Sequence, residues 1–314
     1  MRPALLLVCT LPLLGCGLGE RRIVDVSDSF CAARLRQAVP SLPPPGPGEA
    51  SRLLAGGFSA DAIETAEAIG VLGRMQALID TERRPGNGVP VILARQAVTD
   101  RVLLALLDVQ ATLATIDCEG ERADQLRGQL QRNETRRARN LGLAGILIGA
   151  GTAALTGGLS LAGAAAAGDT VGIIGGSAEA AVASTLLFGS TSGLLRTRTN
   201  LLAEIHRQPA QSSLFPPTVW RYLTRRDAPG EPNIAEEIVA EWRAAGLLDG
   251  EPELDPLFLG EARLAIEDLE RRDAMLDLTE ARIALMSRDL RQLLEEVTAR
   301  PVPTYGRGRR AGPP

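Results

Sequence analysis

Residues 145–176, "GILIGAGTAALTGGLSLAGAAAAGDTVGIIGG", decide how this chain folds. The stretch opens like the phosphate turn of a dinucleotide-binding unit, since Gly149-Ala150-Gly151-Thr152-Ala153-Ala154 fits G-x-G-x-x-A. That turn needs a strand before the glycines, a helix after them and an acidic residue about twenty positions on, where Asp169 stands. The surroundings disagree. An Arg-rich helical stretch comes before, and "LTGGLSLAGAAAAG" (155–168) makes a poor crossover helix with no strand pattern before Asp169. The sequence therefore predicts neither a nucleotide nor any other cofactor here.

The glycines make better sense as places where helices touch. Gly145, Gly149, Ala153 and Gly157 fall four apart, as do Gly168, Gly172 and Gly176, and then Gly189 and Gly193. Four-residue spacing lines one helix face with small residues, so that backbones approach closely and dispersion contacts replace missing side chains. Each glycine inside a helix costs about 1 kcal/mol relative to alanine, and close packing must offset it. The predicted unit is a hairpin over 141–195 turning near Gly168-Asp169, with Arg136, Arg137 and Arg139 before it and Arg196 and Arg198 after it.

Two readings of that hairpin stay open. Its first arm, Leu141 to Gly168, is free of charge and long enough to cross about 30 Å of hydrocarbon, yet only eight of its residues are Leu or Ile. The second arm carries Glu179, which costs roughly 2.5 to 3.5 kcal/mol at mid-membrane. The hairpin is either buried in a soluble fold or inserted in a bilayer, with both ends on one side.

Composition sets the class. The 314 residues are 45% apolar and 23% charged, which supports a globular core; aromatics are 3%, and Ala, Leu, Gly and Arg dominate. That profile reads as all-α. A net charge of −4 gives no electrostatic case for nucleic acid.

The N-terminus, "MRPALLLVCTLPLLGCGLGE", has a basic start at Arg2, an apolar run from Ala4 to Leu14 and then small residues, the pattern of a secretory signal. Leu13-Leu14-Gly15-Cys16 resembles the lipobox of bacterial lipoproteins. The resemblance implies that Cys16 becomes the acylated first residue of the mature chain; the alternative is an ordinary cleaved signal with an incidental Cys16. Gly17 rather than Asp after the cysteine implies, within that resemblance, an outer-membrane anchor facing the periplasm or the cell surface. With Cys9 removed and Cys16 acylated, Cys31 and Cys118 are left, and in an exported chain they suggest a disulfide, the alternative being two buried thiols. No Cys-x-x-Cys pair exists and His206 is the single histidine, so metal binding is not expected.

Along the mature chain the pattern divides into a lipidated N-terminus with a short helix and a Pro-rich linker (16–49), a helical region (50–140), the Gly/Ala-rich hairpin (141–198), a second helical region (199–300) and a Pro/Gly/Arg-rich tail predicted to be disordered (301–314). One helix is predicted over 59–84 and another from Val91 through Ile116, followed by a charged helix and the apolar arm. β-branched alternation is scarce, so strands are not expected. From Pro256 to about Arg300 runs a long helix in which Ala262, Leu269, Leu276, Ile283, Leu290 and Val297 recur every seventh residue, with Ala265, Met286 and Leu293 three places on. Arg272 and Thr279 interrupt the second line. This stripe packs on its own chain or forms an intermolecular coiled coil.

Catalytic patterns are thin. His206 is the only imidazole available to a Ser-His or Cys-His mechanism, and its place after "LLAEI" suits a helix end. The surroundings of Ser160 and Ser190 miss G-x-S-x-G. Glu236-Glu237 and Glu295-Glu296 are adjacent rather than facing, and Trp220 and Tyr222 fit core packing. The sequence thus leads to an elongated helical bundle anchored in the envelope through Cys16, not an enzyme, with a structural, scaffold or assembly role through a protein partner or self-association. The alternatives are a membrane-inserting or pore-associated protein using the hairpin and, behind it, a periplasmic hydrolase using His206.

Overall fold

The structure, a computed structural model, describes residues 31, 48–84, 88–188, 192–197, 200–226, 230–248 and 255–301. Among these residues the chain forms α1 (Glu49–Ala55), α2 (Ala60–Ile69), α3 (Leu72–Glu82), α4 (Gly88–Leu161), α5 (Ala165–Phe188), β1 (Gly193–Arg196), α6 (Leu201–Arg207), α7 (Pro217–Thr224), α8 (Ile234–Ala244), a 3-10 turn at Pro256–Phe258, β2 (Glu261–Leu264) and α9 (Ile266–Ala299). The fold is all-α apart from two short strands.

The single helix expected over 59–84 is two. Gly70 adopts φ 69°, a left-handed conformation that ends α2, and α3 restarts at Leu72. At the start of α2 the Ser59 hydroxyl accepts from Ala62 N at 3.1 Å, while Ser59 N and Oγ donate to Glu296 near the end of α9 at 3.0 and 2.6 Å. Conversely, the helices expected on either side of Cys118 are one. No glycine or proline in 91–161 takes a conformation that stops a helix, and α4 runs unbroken for 74 residues, about 110 Å.

α9 is shorter than the stripe suggested, because Ala262 lies in β2 and Ala265 precedes the helix. β2 pairs antiparallel with β1, Gly193 opposite Leu264 and Arg196 opposite Glu261, and its side chains alternate exposed and buried. This ribbon lies so close to α4 that a Cβ on Gly193 would stand 2.7 Å from Leu126 Cδ1. Four-residue strands are too short to leave a readable alternation in the sequence.

Within α9, Leu269, Arg272, Leu276, Thr279, Ile283, Met286, Leu290, Leu293 and Val297 follow an unbroken three-four spacing, and none is more than 1% exposed. The stripe is occupied by the chain's own core, chiefly by α4, whose Val91, Val98, Val102, Ala105, Val109 and Ile116 face it or its neighbours. The two apparent interruptions are part of this seam. Thr279 returns its hydroxyl to Met275 O at 2.8 Å, and Trp242 Nε1 from α8 donates to the same carbonyl at 3.1 Å.

Arg272 Nη2 meets Glu119 Oε2 on α4 at 3.1 Å, and Glu119 Oε1 meets Arg122 Nη1 at 3.1 Å. Arg122 Nη2 then donates to Arg196 O in β1 at 2.7 Å. Burial pulls the Arg272 guanidinium below its ordinary pKa, and Glu119 opposes that shift. One buried carboxylate thereby ties α9, α4 and the ribbon together. At the far end of α9, Arg300 clamps Glu82 at 2.6 Å, donates to Gly56 O at 3.0 Å and lies 4.5 Å from the Phe58 ring centroid.

Cys31 and Cys118 stand at disulfide-bonding distance, with Cα atoms 5.5 Å apart.

Candidate functional site

Beyond Leu130 the buried positions on α4 stop. The helix continues through Arg136, Arg137 and Arg139 into the apolar arm, turns at Ala162–Ala164, and returns as α5, whose principal contact is α4. The turn lies earlier than Gly168-Asp169. Gly163 alone takes positive φ, 78°, and the alanines after it are good helix formers, so Gly168 and Asp169 fall inside α5.

The two arms meet along a defined register. A Cβ on Gly145 would lie 4.0 Å from Val182 Cγ1, on Gly149 3.5 Å from Glu179 Oε1, on Gly172 3.5 Å from Thr156 Cγ2 and on Gly168 3.2 Å from Thr156 O. At Gly175 a Cβ would fall directly on the Thr152 side chain. Contacts on α5 thus step 168, 172, 175, 179, 182, and on α4 145, 149, 152, 156.

That alternation of four and three corrects the strict four-residue spacing taken from the sequence. With 3.6 residues per turn, constant steps of four drift off the face. Gly157 and Gly176 have accordingly rotated away and meet nothing within 4 Å, whereas Gly175, not singled out by its spacing, sits at the tightest point. Gly193 makes its contact in β1, and Gly189, like Cys16 and Ser190, lies outside the described residues. A paired measurement checks the register. Gly157→Ala is expected to stabilise the helix by up to about 1 kcal/mol, and Gly175→Ala to destabilise the hairpin, in thermal melts followed by circular dichroism. Equal effects of the two would contradict it.

The outer faces of the hairpin are apolar and uncovered. Leu143, Ile146, Leu147, Leu155, Leu161, Ile173 and Ile174 are between 55 and 93% exposed. The most apolar 18-residue window of α4 has mean hydropathy 1.5, and none of it is buried; by length and composition α4 is long and apolar enough to cross a membrane. The hydroxyls of Thr152, Thr156, Thr170, Ser177 and Ser184 donate to carbonyls of their own helix at 2.8 to 3.0 Å, so the arms display few polar groups needing water.

Gly149-Ala154 lies in mid-helix, with no strand-to-helix turn to cradle a phosphate. Elsewhere, the polar residues that could offer chemistry have partners within the chain. His206 closes α6 with its ring 5.1 Å from that of Phe258. A nearby cleft of about 380 Å³ is lined by Thr197, Asn200, Glu204, Arg207 and Phe258. Its polar groups bond within the chain: Glu204 accepts from Ser212, Ser213 and Leu214, Asn200 donates to Leu257 O at 2.7 Å, and Arg207 donates to Phe258 O at 3.3 Å.

Trp220 Nε1 donates to Pro209 O at 3.0 Å, and its ring stacks on Phe215. Tyr222 donates to Asp289 at 2.8 Å, and burial together with that carboxylate pushes its phenol well above the usual range. Glu236 completes a capping box with Asn233, Glu237 pairs with Arg282 at 3.4 Å, and Glu295 pairs with Arg291 at 2.8 Å. Among the described residues no cluster of His, Cys, Asp and Glu could hold a metal. Ser160 sits in the last turn of α4, its hydroxyl turned towards Gly168.

No protein-family model, curated protein or solved structure matches the chain.

Proposed function

We propose that this chain is a lipid-anchored structural protein of the bacterial envelope, tethered through acyl chains on Cys16 and contributing helix surfaces to an assembly with itself or with a protein partner. What carries the reading is α4, whose first half is held by the body while its last turns and α5 stand clear with apolar surface unburied. Left to water such a surface costs solubility, so a partner chain or the membrane itself must cover it. The Leu13-Leu14-Gly15-Cys16 signal supplies the membrane, and several acyl chains, each methylene burying about 0.8 kcal/mol, make that tether stable.

Metabolic labelling with a fatty acid tests the tether. The label is expected on the wild-type chain and lost in Cys16→Ala; label retained in the variant would contradict it. Crosslinking in intact cells, followed by capture through the C-terminal tail, tests the assembly, where a species above monomer mass is expected and monomer alone would contradict it.

A further inference from the structure

We propose that the α4–α5 hairpin crosses a phospholipid bilayer, forming a second membrane contact independent of the acyl chains. Its depth is marked by charge. From residue 140 to residue 195 the only charged side chains are Asp169 and Glu179. Leu141 to Leu161 spans about 31 Å of helix, matching a hydrocarbon layer of about 30 Å.

Arg136 and Arg139 stand exposed at one boundary of that layer. Asp169 follows Gly168, which packs on Thr156 and Ser160, and therefore lies about 30 Å from Arg139 along the hairpin, at the opposite boundary. Glu179 is level with Gly149, about 15 Å from Arg139; its carboxylate reaches the notch left by that glycine while the residue stays exposed, the one charge the crossing must carry at mid-depth. The internal bonds of Thr152, Thr156, Thr170, Ser177 and Ser184 are what a solvent without hydrogen bonds demands of hydroxyls.

The tether fits the same geometry. Arg139 is 21 residues beyond Cys118, about 32 Å of α4. The 15 residues from Cys16 to Cys31, bonded to Cys118, reach at most about 50 Å. Acyl chains and the arginine boundary can therefore share one leaflet, with the body on that side and the Ala162–Ala164 turn at the other. The shared leaflet rests on the proposed acylation of Cys16; the crossing does not.

The full chain carrying Cys16→Ala behind an ordinary cleavable signal is expected to stay in membranes through an alkaline carbonate wash, and its complete release would overturn the crossing. Adding Leu147→Arg and Ile173→Arg, at side chains 73 and 72% exposed, is expected to release it with its circular dichroism unchanged. Retention of that variant would also overturn the proposal. With Cys31 and Cys118 bonded, a single Ala162→Cys provides one free thiol. An impermeant maleimide is expected to reach it only from the side opposite that of a single Arg139→Cys. Labelling of both from one side would assign the hairpin to the membrane surface or to a second copy. Absence of fatty acid from a wild-type chain whose hairpin still resists carbonate would overturn the tether alone.

Discussion

Cys118→Ser is expected to lower stability by about 4 to 5 kcal/mol. The bond to Cys31 closes a separation of 87 residues, and the chain-entropy model assigns a loop of that size this much restriction of the unfolded state. Denaturant titration of oxidised wild type against Cys118→Ser reads the difference directly. A nonreducing gel should show the oxidised chain migrating faster than the reduced one. Identical mobility and an unchanged midpoint would contradict the bridge.

Glu119→Gln is expected to cost about 3 to 5 kcal/mol, lowering Tm by roughly 10 °C, because it strips two buried guanidiniums of the charge they share. Arg272→Met should be much milder, below about 1.5 kcal/mol. Glu119 then keeps Arg122, and methionine fills the seam position with similar volume. Equal losses in the two variants would contradict the charge on Glu119 as the centre of the network.

These two contrasts show where the sequence was legible. The heptad line on α9 could be read because apolar residues recur on one face, and Cys31 with Cys118 because only these two of the four cysteines lie outside the N-terminal stretch that resembles a signal. Arg272 looked like a fault in the stripe because its partner Glu119 lies 153 positions away, and pattern along one helix says nothing of a charge supplied by another. Gly175 escapes a count in fours for a related reason. Counting in fours follows the sequence, whereas the face of a helix advances by 3.6, so the tightest contact fell one residue from where the spacing put it. The ribbon of β1 and β2 left no sign because four residues with one exposed face carry too little alternation. Cys16 has its whole case in the four residues of its signal.

Hydrogen exchange on the intact chain, with and without phospholipid vesicles, tests most directly the claim that membrane covers what the body leaves bare. Vesicles are expected to slow exchange in both arms, 141–161 and 165–188, together, while α9 and its seam exchange as before. Arms that exchange alike with and without lipid would contradict it.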